Sequence, residues 1–181
     1  MNNTILTKIL QVGTLIMVAG FLCGCSQKLN QEAMTPYWVK TVNKHPQTVT
    51  VAVSGGQSAS ADGPVKISND QITAAIVDTI NSSGVFSKVI PVSGGDYILS
   101  VALVDMDRPM FGASMTVKLS ADWTLRKADS NQIVWQQNIR SENTVPFDAA
   151  FAGSTRGKMA TAGAVNDNVK QGLELISSLS L

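Results

Sequence analysis

The stretch Met115-Thr-Val-Lys-Leu-Ser-Ala-Asp-Trp-Thr-Leu-Arg126 decides the fold class of this chain. Apolar and polar side chains alternate along it without a break. A period of two is the pattern of a β-strand that buries one face and leaves the other in water. After a turn at 127–131 the alternation resumes, with Ile133, Trp135 and Ile139 on one face and Gln136, Asn138 and Arg140 on the other. The sequence therefore predicts an antiparallel hairpin with one apolar and one wet face.

Three more strands are predicted before this hairpin. Residues 48–53 are rich in β-branched side chains, which favour strands. Residues 87–92 form a short strand, and Pro91 places it at a sheet edge or marks its end, because proline cannot donate a ladder hydrogen bond. Residues 97–104 carry apolar side chains at both parities, which is typical of a central strand covered on both faces.

Two helices are predicted, one before and one after these later strands. The first begins near Ser68, where Ser68 or Asn69 can cap it, and ends at Gly84, which suits a left-handed cap. Its apolar stripe consists of Ile72, Ile76 and Ile80, with Ala75 and Thr79 beside them. The second helix covers 159–179, where apolar residues recur at helical spacing. This order indicates an α+β domain, a mainly antiparallel sheet of about five strands with two helices packed on one face.

The tetrapeptide Leu22-Cys23-Gly24-Cys25 follows an apolar run that begins at Ile9, with Lys8 just before it. A positive residue, an apolar stretch and a small-residue exit are the parts of an export signal. Because this exit closes on a cysteine, it resembles a bacterial lipoprotein signal. The resemblance implies that residues 1–24 are a signal peptide, that Cys25 carries acyl chains, and that these chains attach the protein to a membrane. Ser26, where Asp would imply inner-membrane retention, implies the periplasmic face of the outer membrane.

A retained membrane-spanning anchor is the alternative to a cleaved signal. The apolar run covers 9–22, which is shorter than the roughly 20 residues needed to span a bilayer. Gly13 and Gly20 weaken it further as a helix. We therefore favour cleavage.

Charge argues against nucleic acid as a partner. The chain has 14 basic and 13 acidic residues, and Lys8 is the one charged residue of 1–24, so residues 25–181 carry 13 of each. Nucleic-acid affinity comes mostly from basic residues that neutralise phosphates, and no basic run is present.

Residues 25–46 are predicted to be the lipidated cysteine and a flexible tether, and residues 47–181 a single periplasmic domain. Polar residues dominate 26–46 without a sustained period, and a flexible chain of that length spans on the order of 25 Å. Tyr37 and Trp38 are the exception. They either pack on the domain as its first ordered contact or touch the bilayer as an interfacial aromatic pair.

Residues that could carry catalysis or hold a metal are scarce after the signal. The one histidine, His45, lies in the predicted tether, where we expect it to be solvated. A serine or cysteine nucleophile needs a base held within hydrogen-bond reach, and a zinc site needs several Cys or His ligands. We therefore expect no enzyme activity, no metal and no cofactor, and Cys25 as the lipidation site is the one functional residue predicted.

Two short patterns still invite a chemical interpretation. Asp105-Met-Asp107 could bind a hard cation or form an acid pair, but with Arg108 and Pro109 it also has the composition of a turn, which we favour. Gly153-Ser-Thr-Arg-Gly-Lys158 lies in a segment, 145–158, that reads as irregular. A P-loop has four residues between its glycines and a hydroxyl residue after its lysine, whereas here there are three and then a methionine. We interpret it as a loop whose Ser154 or Thr155 caps the last helix.

Phe111, Phe147 and Phe151 lie in predicted loops. Each either tucks under its own loop or, grouped on one rim, forms part of a docking site.

Taken together, the chain resembles small outer-membrane lipoproteins of Gram-negative bacteria, of the YajG-like type. The resemblance is carried by the segment that ends at Cys25, the helix at Gln71–Ser83, the strands at Asp96–Asp105 and Thr116–Lys127, and a last helix with Ala164, Val165 and Asn168. The topology is also similar to periplasmic domains of curli- and polysaccharide-secretion lipoproteins and to the TolB amino-terminal domain. The resemblance implies a lipid-anchored periplasmic protein and assigns no functional residue except Cys25.

The favoured hypothesis is a non-enzymatic, lipid-anchored envelope protein that binds another envelope protein, or a second copy of itself, through strand edges and loops. The alternative is a lipid- or glycan-handling auxiliary lipoprotein of an envelope transport system, in which the apolar strand layer opens a groove for an acyl chain. An enzyme would need a cleft that holds Asp105 and Asp107.

Overall fold

A computed structural model describes residues 29–56, 67–108 and 112–181. Its elements are helix α1 (Gln31–Met34), strand β1 (His45–Ser54), helix α2 (Asn69–Ser83), strands β2 (Phe86–Val89), β3 (Tyr97–Asp107), β4 (Met115–Lys127) and β5 (Ile133–Val145), a 3-10 turn (Phe147–Ala149) and helix α3 (Gly153–Ser177). The strands form one sheet in the order β2-β1-β3-β4-β5. Within these residues, no helix combines the length and the apolar character that crossing a membrane requires.

The α+β class and the five-stranded sheet are confirmed, with both long helices on the apolar face. The sheet is mainly antiparallel, as predicted, but it is not purely so, since β1 pairs in parallel with both β2 and β3. The pairs β3–β4 and β4–β5 are antiparallel. Parallel neighbours need a crossover connection, and α2 lies in the one between β1 and β2.

Helix α2 follows its sequence signals at both ends. The Ser68 hydroxyl accepts the backbone N–H of Gln71, and the Gln71 side chain accepts the backbone N–H of Ser68, both at 3.2 Å. This reciprocal capping box satisfies two donors that a helix start leaves free. Gly84 ends the helix at a φ of 68°, which only glycine adopts without strain. The predicted stripe faces the sheet, and Ile76 and Ile80 are fully buried.

The hairpin of β4 and β5 is confirmed, with one correction. One face of β4 is buried throughout, and it carries Trp123 and Leu125 at the centre of the core. Ile139 is buried and Trp135 packs against the core, as predicted. Ile133 was expected to face inward, but it is exposed. A register shift pairs it with Arg126 of the wet face.

Strand β3 is central, as predicted, but only one of its faces is covered. Tyr97, Leu99 and Val101 are buried on the helix side. On the opposite face Ser100 is half-buried and Val104 is exposed. The mixed apolar pattern of this strand therefore reflects small and branched residues on a wet face rather than a second covering layer.

Helix α3 begins at Gly153, six residues before its predicted start, and lies across β4 and β5. Its Asn168 side chain accepts the indole N–H of Trp123 at 2.9 Å and donates to the carbonyl of Ile139 at 3.0 Å. The Ser141 hydroxyl donates to the Ala164 carbonyl at 2.7 Å. These buried bonds fix the position of the helix over the edge of the sheet.

Residues 29–44, which we call the N-terminal strap, correct the prediction of a flexible tether. The strap packs on the outer side of α2 and α3, and it buries Leu29, Met34 and Val39. The Gln31 side chain donates to the Gln71 carbonyl, and the strap's Ala33 carbonyl accepts from Asn166. These three buried residues are spaced five apart, which matches neither the helical nor the strand period. The sequence pattern therefore indicated a flexible segment. The first part of the predicted tether, residues 25–28, lies outside the described residues.

A polar clamp joins the start of β3 to β1. The Asp96 carboxylate accepts the Thr48 backbone N–H at 2.7 Å and the Thr48 hydroxyl at 2.8 Å. The backbone N–H of Asp96 donates in return to the Thr48 hydroxyl at 3.0 Å. The hydrogen bonds from Thr48, that of its backbone first, lower the pKa of Asp96 below its usual 3.8.

This clamp predicts a stability difference in acid. Because the pKa of Asp96 is lower in the folded state, its contribution to folding is complete above about pH 4 and is lost as the pH falls further. We expect Asp96→Asn to lower the urea midpoint at pH 7 and to reduce the loss of stability between pH 4 and pH 2.5. Equal acid sensitivity of both proteins would contradict the assignment.

Candidate functional site

His45 is structural. It was expected to be solvated in the tether, but it is the first residue of β1 and only 4% exposed. Its Nε2 lies 3.0 Å from the Ile176 carbonyl, and its ring centroid lies 5.3 Å from that of Phe86. The strap brings it there, since Asn43 bonds to the last turn of α3. A histidine closed in by a helix end and an aromatic ring has no route to a substrate.

Asp105 and Asp107 lie at the end of β3 rather than in a turn. They pair with Ser120 and Lys118 across the sheet, after a register shift at Val104 that keeps both carboxylates exposed on the wet face. Among the described residues no cluster of three acidic, histidine or cysteine side chains could hold a metal. Arg108 makes no ion pair with either aspartate in this part of the chain, and burial lowers its pKa.

The Gly153–Lys158 pattern belongs to the first turns of α3. Ala152 is the N-cap residue and makes no side-chain cap bond, so the predicted capping by Ser154 or Thr155 is wrong. Arg156 is buried, and its guanidinium is directed at the preceding loop. Its guanidinium donates to the carbonyls of Ala150 at 2.6 Å and Phe151 at 3.1 Å and lies 4.8 Å from the Phe147 ring centroid. The arginine therefore folds the preceding loop onto the helix instead of binding phosphate.

That loop presents its aromatic side chains to solvent. Phe151 is 99% exposed, and Phe147 is more exposed than buried although the arginine covers one side of its ring. We call these two residues the aromatic rim. Of the two interpretations of the loop phenylalanines, the structure favours the exposed one for this pair. Phe111 lies outside the described residues.

In the chain, the aromatic rim directly follows the edge strand β5, whose outer side is open. Strand β5, 13 residues long, is the last strand of the sheet, and no other described strand pairs with its outer side. Apart from Ile133, its exposed side chains are polar and mostly uncharged: Gln136, Gln137, Asn138, Arg140, Glu142 and Thr144. The opposite edge, β2, has four residues. Natural sheets blunt their edges with short strands, and by this measure the β2 edge is blunted while the β5 edge is not.

Sequence reasoning found the hairpin but missed this edge. An edge is defined by which strands pair, and the parallel insertion of β1 between β2 and β3 leaves no periodic signal. The length and the low charge of 133–145 were the one available clue. Cys25 and the cleavage point lie outside the described residues, so lipidation stays a prediction.

No family model and no curated protein matches the chain. A DUF330 protein of Xanthomonas campestris is 13% identical with a TM-score of 0.52, over 79% of this chain and 87% of that one. A hypothetical protein of Chlamydia trachomatis is 8% identical with a TM-score of 0.53, over 73% and 96%. A minor lipoprotein of Acinetobacter baumannii is 10% identical with a TM-score of 0.48, over 76% and 93%. The first two similarities show a shared fold, and at these identities no residue role carries over.

Proposed function

We propose that this protein is a lipid-anchored, non-enzymatic binding or assembly subunit on the periplasmic face of the outer membrane. It pairs the β5 edge with a strand of another envelope protein or of a second copy. The observation that carries the proposal is the long unblunted edge strand that ends beside the aromatic rim. Strand addition supplies backbone hydrogen bonds, and exposed aromatic side chains supply the apolar anchor that such an interface needs.

Side-chain contacts hold the edge strand β5 in place for this mode of binding. Lys118 and Glu142 form an exposed ion pair at 3.8 Å, and Asn138 links to both Ser120 and Asp122 across the strands. These cross-strand bonds fix β5 beside β4. On the helix side, the Asn168 side chain donates to the Ile139 carbonyl of β5. The edge is thus preorganised, which lowers the entropy cost of adding a strand.

The alternative of a lipid-handling groove loses its motivation. It required the apolar strand layer to open to solvent, but Val117, Ala121 and Leu125 are buried on the face that α3 covers.

Cross-linking in cells tests the proposal. A photoreactive side chain at Gln136 or Arg140 is expected to give a discrete adduct, whereas the same group at Lys88 of β2 should give none. An adduct of twice the chain mass means a second copy, and a heavier one identified by mass spectrometry means another envelope protein. A chain that remains monomeric and gives no adduct at any β5 position would refute the proposal.

The aromatic rim should contribute to the same complex. Phe151→Ser removes an exposed anchor without touching the core, and we expect about a tenfold loss of adduct at Arg140, because interface aromatics carry on the order of 1–2 kcal/mol or more. Val92→Ser is the matched control, since Val92 is almost fully exposed elsewhere on the surface. Equal adduct yields for the two variants would exclude the rim from the interface.

A further inference from the structure

The N-terminal strap carries a second exposed apolar feature. Tyr37 is fully exposed, Trp38 is 62% exposed, and Val42 is exposed close by. An exposed pair of large aromatic side chains next to each other has no role in the domain core, although Met34 and Val39 on either side are buried. The strap therefore buries Leu29, Met34 and Val39 and exposes its two aromatic side chains.

The aromatic pair is held in place rather than carried on a free chain. The Lys40 backbone N–H donates to the Glu174 carboxylate at 3.0 Å, and the Val42 N–H donates to the Ser177 hydroxyl at 3.2 Å. On the other side of the pair, Asn166 binds the Ala33 carbonyl at 3.2 Å. The Lys170 ammonium lies 5.5 Å from the centroid of the Trp38 ring. The backbone on both sides of the pair is thus fixed on α3, and the Trp38 ring lies beside Lys170.

The chain length between Cys25 and the strap limits how far the domain can lie from its anchor. Three residues, 26–28, separate Cys25 from Leu29, which is buried in the domain. Even fully extended, four residue steps span at most about 14 Å. Acyl chains on Cys25 would therefore hold the helix side of the domain close to the lipid headgroups.

The chemistry of the aromatic pair fits that position. Tyrosine and tryptophan are enriched where a bilayer meets water, because their rings are apolar and their N–H or O–H groups reach headgroups or water. Lys170 lies beside the Trp38 ring and Lys40 follows the pair by two residues, so basic side chains near the pair can approach anionic phosphates.

We propose that Tyr37 and Trp38 dock the strap side of the domain onto the phospholipid bilayer that holds the acyl chains of Cys25. This inference rests on the lipidation included in the proposed function. It gives the domain one orientation on the membrane, in which the strap and helices face the lipid and the sheet faces the periplasm.

Spin labelling of the full lipidated protein in phosphatidylethanolamine and phosphatidylglycerol vesicles tests the orientation. Cys23 leaves with the predicted signal and Cys25 is acylated, so Tyr37→Cys provides a single free thiol. We expect the ratio of oxygen to nickel-chelate accessibility at position 37 to be several-fold higher than at Val104→Cys, an exposed site on the wet face of the sheet. Equal ratios at the two positions would overturn the proposal.

A second measurement uses the protein with Tyr37 unchanged and no label attached. Brominated lipids should quench the tryptophan fluorescence of the unlabelled lipidated protein, and Trp38→Phe should remove most of that quenching, because Trp123 is fully buried and Trp135 is partly buried. Unchanged quenching in Trp38→Phe would also overturn the proposal.

Mass spectrometry of the same preparation separates the two failures. An acylated Cys25 with position 37 in water removes the docking surface and leaves the proposed function intact. An unmodified thiol at Cys25 removes both.

Discussion

Gly172→Ala is expected to destabilise the domain by about 2 kcal/mol, although alanine is the better helix former. Gly172 lies in α3 directly against the indole of Trp123, and an added Cβ would lie 2.7 Å from two carbons of that ring. Trp123 cannot move aside, since it is fully buried and its N–H is bonded to Asn168. The clash therefore has to be relieved by shifting α3 away from the sheet.

Gly157→Ala is the matched control in the same helix. An added Cβ there meets no atom within 4 Å, so the change should stabilise the domain by up to about 1 kcal/mol through helix propensity alone. Opposite shifts of the urea midpoint for the two glycines are the expected result. In a Trp123→Phe background, which removes part of the ring, the cost of Gly172→Ala should shrink. Two variants that shift the midpoint in the same direction would contradict this account of the packing.

Helix α2 shows what the sequence can predict. Its start at Ser68, its end at Gly84 and its buried isoleucine stripe each depend on residues within a few positions of one another. Local signals of this kind do not need the rest of the fold to be known, because capping bonds form between neighbours in the chain. The wet and dry faces of β4 were predictable for the same reason.

The start of α3 shows where local signals fail. Its first two turns contain Gly153 and Gly157, which disfavour a helix, and its N-cap residue offers no side-chain oxygen. The helix forms there because Arg156 binds two carbonyls of the preceding loop and packs on Phe147. Tertiary contacts thus override the weak helix propensity of this segment, and no sequence pattern within 145–158 predicts those contacts.

The two candidate surfaces likewise depend partly on local sequence and partly on contacts between distant parts of the chain. The sequence left open whether Tyr37 and Trp38 are packed or exposed. The position of their backbone depends on bonds between the strap and α3, which join residues more than 130 positions apart in the chain. The β5 edge depends on strand order, which is likewise nonlocal. On the proposals above, the bilayer surface and the protein surface lie on different layers of the fold, so the anchor does not obstruct strand addition.

Asn168→Leu should cost about 2–5 kcal/mol, because it keeps the volume but leaves two buried groups unpaired, the indole N–H of Trp123 and the carbonyl of Ile139. Asn166→Leu, two residues earlier, is the matched control. Its bond to the Ala33 carbonyl is exposed, so the cost should stay within about 1 kcal/mol.

A double-mutant cycle identifies the mechanism of the Asn168 effect. Trp123→Phe removes the indole donor, so Asn168→Leu should cost about 1–2 kcal/mol less in that background than in the wild type. Because the same asparagine holds the carbonyl of Ile139 on the edge strand, the variant should also loosen β5, and amide hydrogen exchange of 137–141 should increase more than that of α2. Additive costs in the cycle, with uniform exchange across both elements, would show that Asn168 does not couple the helix to the edge.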